Sequence, residues 1–250
     1  MNIAKYLERI GFSETPLVND DTFFSLHRQH ILNVPFENLD IHFKKLFTLE
    51  KDKIYNKVIE NKRGGFCYEL NYIFNELLNH IGFTSRIISA RILNDDIPGP
   101  EYDHMLLLVK TDRHFIADVG YGDLFIHPLE LNENTVQSDG RNYFKIERYD
   151  GEDYVLSMSI DKELFQKKYT FKLSPCSTND FIGICFDKQT NPDSYFVKNT
   201  ICTKATPAGR LTIFNDKLTE KINDEKSEII IKNDDDLKNC LKQRFQIEIN

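Results

Sequence analysis

Cys67 is the residue in this chain whose setting best suits a nucleophile. A cysteine attacks as its thiolate. The thiolate is stabilised by the unpaired amides and dipole of a helix N-terminus and, more strongly, by a neighbouring imidazolium. Arg63-Gly64-Gly65-Phe66 runs into Cys67. From there Leu70, Asn71, Phe74, Leu77, Leu78 and Ile81 share one helical face, with Gly82 as a natural stop. Cys67 therefore belongs to the first turn of a predicted helix, on its inward face. The other four cysteines lack that setting. Cys176 follows a proline, Cys185 and Cys240 fall in predicted helices and Cys202 in a strand, so they read as small apolar fillers. The competing reading of Cys67 is the same one, because free cysteine is among the most buried residue types.

A nucleophilic thiol needs a base, and the base needs an acid that fixes its tautomer. His104 opens the apolar run His-Met-Leu-Leu-Leu-Val, at a strand end that can face a cleft; a polar residue marking a loop boundary is the plainer reading. Asp118 closes Phe-Ile-Ala-Asp before Val-Gly-Tyr-Gly, and an acid in an apolar strand is costly unless paired. The two strands are sequential and joined by a short turn, so they pair as a hairpin and bring His104 near Asp118. A triad would put the Cys67 sulfur within hydrogen-bond reach of one His104 nitrogen and Asp118 on the other. Among the remaining histidines, His27 and His30 lie on an apolar helix face as packed, hydrogen-bonded core residues. His114 opens the next strand, where Asp112 and Arg113 suggest an exposed turn, and His42, His80 and His127 have no special setting.

The elements that must position these residues change character along the chain. The first third has helical spacing: Ile3, Tyr6, Leu7 and Ile10; then Phe23, Leu26, His27, His30 and Ile31 behind caps at Asp20 or Asp21, stopped by Pro35; then Ile54, Val58 and Ile59 behind Thr48. The middle third has short apolar segments at 84–93, 104–110, 114–119, 142–148 and 153–159, separated by turn-formers, which predict antiparallel strands. A helix follows Thr178, a hairpin turns at Thr206-Pro207-Ala208-Gly209, and a last helix covers 234–244, its acidic start suited to a helix N-terminus. Helices, strands and a mixed tail make an α+β protein of two or three subdomains.

The net charge of −7 is spread along the chain and argues against nucleic acid, whose phosphates demand basic patches. No segment approaches the roughly 20 apolar residues of a membrane span. The opening Met-Asn-Ile-Ala-Lys-Tyr-Leu-Glu-Arg-Ile reads as an amphipathic helix and not as a signal peptide. Five irregularly spaced cysteines form no metal-binding pattern and leave an odd thiol, so a reducing cytoplasm is expected and no metal.

Taken together, Arg63-Gly64-Gly65-Phe66-Cys67-Tyr68-Glu69-Leu70-Asn71 resembles the active-site signature of the arylamine N-acetyltransferases. Val34-Pro35-Phe36-Glu37-Asn38-Leu39 is similar to that family's N-terminal segment. His104 before its apolar strand and Ala117-Asp118-Val119-Gly120-Tyr121-Gly122 match its histidine and aspartate blocks. Pro192-Asp193-Ser194-Tyr195-Phe196, Thr206-Pro207-Ala208-Gly209 and Leu241-Lys242-Gln243-Arg244-Phe245 have counterparts too, in collinear order over essentially the whole chain. The resemblance implies a helical bundle carrying the nucleophile over 1–83, an antiparallel β-barrel carrying the histidine and aspartate over 84–190, and an α/β lid over 191–250. It also implies a papain-like Cys67-His104-Asp118 triad. Acetyl-CoA would be the acetyl donor and aromatic amines or hydrazines the acceptors, in a ping-pong reaction through an acetyl-cysteine, with a role in xenobiotic metabolism. Tyr121 stands for the more usual Phe, and Tyr195 where a small residue or Trp is common. Both bear on aryl preference and CoA contacts.

Beside the triad, Glu37 and Arg63 suit an ion pair tying two segments together, or a substrate contact. Phe36, Phe66, Tyr121 and Phe125 are candidates for an aromatic substrate pocket, against the plain reading of core. Ser194, Lys198 and Lys204 are candidates for CoA phosphates, against that of solvated surface. Other acyl chemistry on the same scaffold, such as amide-bond closure, and cysteine hydrolysis are the alternative functions.

Overall fold

A computed structural model describes residues 1–133, 135–223 and 225–249. Helix α1 (Ile3–Ile10) is capped by Asn2 and ends where Gly11 turns left-handed at φ 73°. Helix α2 (Asp20–Asn33) is capped by Asn19, whose side chain accepts the Thr22 amide. Asp20 and Asp21, expected as caps, are already helical and sit in the first turn, where their charge meets the helix dipole. The helix stops before Val34, which precedes Pro35 and is driven out of helical geometry. Short strand β1 (Phe36–Glu37) and helices α3 (Leu39–His42) and α4 (Lys51–Tyr55) follow, α4 widening into a π-turn over Asn56–Glu60. Thr48 does not cap α4; its hydroxyl donates to Glu50, the residue at the cap position. Helix α5 (Cys67–Ile81) begins at the cysteine and ends at left-handed Gly82.

The strands β2 (Thr84–Asn94), β3 (Ile97–Pro98), β4 (His104–Lys110), β5 (His114–Ala117), β6 (Leu129–Glu130), β7 (Gln137–Ser138), β8 (Tyr143–Arg148), β9 (Tyr154–Ser159) and β10 (Gln166–Pro175) form one antiparallel sheet in the order β6-β5-β4-β2-β10-β9-β8-β7, with β3 on β2. The sheet curls until its ends meet. There Gln137 bridges the seam, its amide donating to the Glu130 carbonyl at 2.7 Å and accepting the Glu130 amide at 2.8 Å. Side chains on β4 alternate. Met105, Leu107 and Val109 pack on the helices, while Leu106 packs inside the barrel with Ile88, Ile116, Phe144 and Tyr169. Burial on both faces explains why this strand reads as an unbroken apolar run.

A 3₁₀ turn (Thr178–Phe181) leads into α6 (Ile182–Thr190) and α7 (Tyr195–Lys198). Strands β11 (Ile201–Thr206), β12 (Gly209–Phe214), β13 (Lys217–Ile222) and β14 (Glu225–Ile230) form a second sheet. Helix α8 (Asp234–Cys240) and a π-turn (Leu241–Phe245) pack on it through Leu241 and Phe245. Its first strand is β1, with Phe36 opposite Thr203 and Glu37 opposite Cys202. No helix among the described residues is long and apolar enough to cross a membrane.

The segment before Cys67 is held from two sides. Gly65 accepts the Glu37 amide at 2.9 Å and donates to the Pro35 carbonyl at 3.2 Å. At Gly64 a Cβ would sit 2.2 Å from that carbonyl, so no side chain fits. Buried charges lock the same region. Arg63 pairs with Glu37 at 2.7 Å and Asp40 at 2.9 Å; Lys57 pairs with Asp40 and Glu69, each at 2.8 Å. Glu69 in turn accepts the Phe66 amide at 2.8 Å and completes the start of α5.

Lys57→Met leaves two nearly buried carboxylates short of a partner and is expected to cost about 3–5 kcal/mol in urea unfolding. Lys53→Met, which removes only an exposed pair with Glu50, leaves the midpoint in place. Matching midpoints for the two variants would show that the network does not hold the fold.

Candidate active site

Cys67 is the first residue of α5 and is almost fully buried. His104 is the first residue of β4, and Asp118 follows the last residue of β5. His104 Nε2 lies 2.7 Å from Asp118 Oδ2. Facing a carboxylate, Nε2 carries the ring proton of a neutral imidazole, and Nδ1 is the nitrogen free to take another. Asp118 Oδ1 accepts from the Asn71 side chain and from the Gly120 and Tyr121 amides, each at 3.0 Å. Burial by itself pushes the Asp118 carboxyl up, but His104 and these hydrogen bonds outweigh it, and the group ends below the usual carboxylate range.

Asn71 and His27 fix this acid to the helices. Asn71 also donates to the Met105 carbonyl at 2.6 Å and accepts the Val119 amide at 2.9 Å. His27 Nδ1 donates to the Ile126 carbonyl at 3.1 Å, and its Nε2 accepts the Asp118 amide at 3.2 Å. Burial pulls His27 down to about 4, so it stays neutral and keeps that accepting nitrogen. Gly120 lies directly on the first turn of α5; a Cβ there would come within 2.8 Å of Cys67 Cα and 2.6 Å of the Asn71 amide.

Cys67 and His104 open onto one cavity of about 690 Å³, lined also by Phe36, Tyr121, Tyr195 and Phe196. No hydrogen bond joins the sulfur to the imidazole. Contacts of this kind are commonly long before substrate binds. Burial pushes the Cys67 thiol up; Lys188 pulls it down, while Asp118 and Asp103 add to the rise. Such a sulfur ionises readily only if its proton stays beside it, on the imidazole.

The same architecture occurs in known proteins. A family model described as N-acetyltransferase matches residues 21–250. An arylamine N-acetyltransferase of Gallus gallus, a pineal gland isozyme, is 30% identical over 276 residues, covering 100% of this chain and 95% of its own length. That of Escherichia coli K12 is 31% identical over 214 residues, 84% of this chain and 75% of its own. The chain belongs to the arylamine N-acetyltransferase family. The solved arylamine N-acetyltransferase of Salmonella typhimurium superposes with a TM-score of 0.93 at 26% identity, over 99% of this chain and 92% of that one.

In this acetyltransferase the candidate aromatic residues divide. Phe36 and Tyr121 line the cavity, and burial pushes the Tyr121 hydroxyl up to about 12. Phe66 is fully buried behind Phe36 and Phe196, with ring centroids 5.5 and 4.6 Å away. Phe125 stacks on His27 at 5.7 Å, inside the protein. The candidate phosphate contacts do not line the cavity. The Ser194 hydroxyl donates to the Lys188 carbonyl, Lys198 pairs with Asp193, and Lys204 lines a small adjoining cleft that shares Phe36, Tyr121 and Arg210 with the cavity. The cations on the cavity wall are Lys188 and Arg210. The sequence reading names neither of them, nor Asp103, and gives Asn71 only as part of a helix face; His27 is the packed, hydrogen-bonded core residue expected. Asn71 carries a signal of the same kind, as an amide on an apolar helix face that must find a partner. Glu37 and Arg63 form the ion pair described above, away from the cavity wall.

Gly120→Ala is expected to destabilise the enzyme by about 1–3 kcal/mol by forcing the turn off α5. Gly183→Ala, in a helix with nothing within 4 Å, should add about 0.5–1 kcal/mol. Thermal melts that rank the two variants in the opposite order would show that the turn does not rest on α5.

Proposed function

We propose that this chain moves an acetyl group from acetyl-CoA to an aromatic amine or hydrazine in two half-reactions, with Cys67 as nucleophile, His104 as base and Asp118 orienting His104. One observation carries this reading: an imidazole hydrogen-bonded to a buried carboxylate opens onto the same cavity as a cysteine in the first turn of a helix. A Mycobacterium marinum arylamine N-acetyltransferase of this fold, solved in complex with CoA, supports the choice of donor.

In the first half-reaction His104 Nδ1 takes the Cys67 proton and the thiolate attacks the acetyl carbonyl. The positive end of α5 favours the charge that gathers there. The tetrahedral intermediate collapses, the bond to the CoA sulfur breaks, and the imidazolium returns its proton to the leaving thiolate. An acetyl thioester remains on Cys67. In the second half-reaction the aryl amine attacks that thioester, His104 takes the amine proton, and the amide leaves as the Cys67 thiolate is restored. Phe36, Tyr121, Tyr195 and Phe196 offer faces and edges on which an aryl ring can stack. Ser194 and Lys198 flank the two α7 aromatics and are proposed for the CoA phosphates at the rim. Since the thiol must stay reduced to react, we place the reaction in a reducing cytoplasm.

Intact mass after mixing with acetyl-CoA alone should show one acetyl adduct, on the Cys67 peptide, and an added arylamine should clear it. Clearance by water at the same rate would assign a hydrolase instead. Asp118→Asn retains one oxygen for the turn amides and presents an amide donor to His104 Nε2, so it selects the other imidazole tautomer. Turnover should fall about 10²–10⁴-fold while the fold survives. Near-normal turnover with a lowered melting temperature would make Asp118 a structural group only.

A further inference from the structure

Lys188 stands on the wall of the catalytic cavity, on α6, and the chemistry above does not use it. Its Nζ lies 2.6 Å from Asp103 Oδ1, in a pair whose side chains are only 15% and 10% exposed. The ammonium also sits 5.2 Å from the centre of the Phe196 ring. Both ends of the pair are anchored. Asp103 Oδ2 accepts the Ile92 amide at 3.1 Å, and the Asp103 carbonyl accepts the Tyr68 hydroxyl at 2.9 Å. The Lys188 carbonyl accepts the Ser194 hydroxyl at 2.8 Å. A long, flexible cation has been fixed at one point of the site by Asp103, the residue next to His104 in sequence.

We propose that Lys188 is a positioning residue for the Cys67 thiolate: a fixed positive charge on the wall of the same cavity, set in place by Asp103, that favours the negative sulfur once His104 has taken its proton. This rests on the reading of Cys67 as the nucleophile. The charged and titratable groups that share the cavity with the sulfur or act on it from the packed elements are His104 and Asp103 from β4 and its approach, Asp118 from the turn after β5, and Lys188 and Cys185 from α6; Tyr68 follows it on α5. Tyr121, Asp123 and Arg210 line the same cavity. Asp118, Asp103 and Cys185 oppose a negative sulfur. Lys188 favours it, and acts on it more strongly than Asp103 does. Loss of the lysine charge should make the thiolate harder to form, and loss of the aspartate charge should make it easier. A clasp that merely held α6 against the His104 loop would respond in the same direction to either loss.

The test follows the rate of Cys67 alkylation by iodoacetamide against pH in the full-length protein, read by mass spectrometry of the Cys67 peptide. Lys188→Gln should move the midpoint up by about 0.5–1 unit, as expected for one charge at the edge of a protein cavity. Asp103→Asn, which keeps an acceptor for the Ile92 amide, should move it down. Lys188→Arg keeps the charge and should keep the midpoint, which guards against a folding defect in the glutamine variant. Shifts of the same sign in the glutamine and asparagine variants, or none in either, overturn the proposal. If wild-type Cys67 reacts no faster than Cys176 and Cys240, the nucleophile reading itself fails, and this proposal with it.

Discussion

A carboxylate shut away from water must be met by donors on every side, or its burial costs several kcal/mol. Asp118 is met by a helix side chain, by the amides of its own turn and by an imidazole from the neighbouring strand. Much of the architecture serves this one group. Asn71 binds the acid, the strand residue after His104 and the turn amide of Val119, so α5 can neither slide nor rotate on the barrel without breaking several bonds. Apolar contacts between a helix and a sheet tolerate small shifts; hydrogen bonds of this kind do not. Asn71 lies one helical turn beyond Cys67, so the bonds that satisfy the acid also set the place of the sulfur.

The cysteine itself is kept in a setting hostile to charge. Its burial favours the neutral thiol, and two nearby carboxylates do the same. Reactivity in such a place comes from the arrangement of other charges and not from exposure. Each charge near the sulfur is itself tied down: His104 by Asp118, Asp118 by Asn71 and His27, Lys188 by Asp103. Fixed groups lose little by reorganisation when charge moves during the reaction.

Much of this was readable before the fold was known. Local rules placed Cys67 at a helix start, because the glycine pair and the spacing from Leu70 to Ile81 depend only on nearby residues. The strands were legible from their turn-formers. The hairpin that joins His104 to Asp118 followed from short connections. The cap of α2 reads as Asp20 or Asp21 and lies one or two residues earlier, because Asn19, Asp20 and Asp21 all carry good acceptors and only backbone geometry tells them apart. Apart from the Glu37–Arg63 pair, what stayed hidden were the contacts between distant segments. Lys188 looks like any helix-surface lysine until Asp103, far away in sequence, arrives beside it. Phe66 and Phe125 are aromatic and near the site, yet nothing in their spacing says that they face inward from it. His27 reads as core, which it is; that its free nitrogen accepts the Asp118 amide depends on how α2 crosses the barrel.

The two residues of β1 have neighbours from opposite ends of the chain: Gly65 on one side and β11 on the other. During synthesis Gly65 is at hand almost at once, but β11 leaves the ribosome only when most of the polypeptide has been made. The helical bundle can collapse early, since its contacts are close in sequence. The loop that feeds Cys67 stays bonded along one edge until the late strand arrives. The nascent chain therefore carries its cysteine, histidine and aspartate for some time before the backbone that aims the sulfur is finished. A message broken off before β11 would yield a product with every reacting group present and the nucleophile's support incomplete.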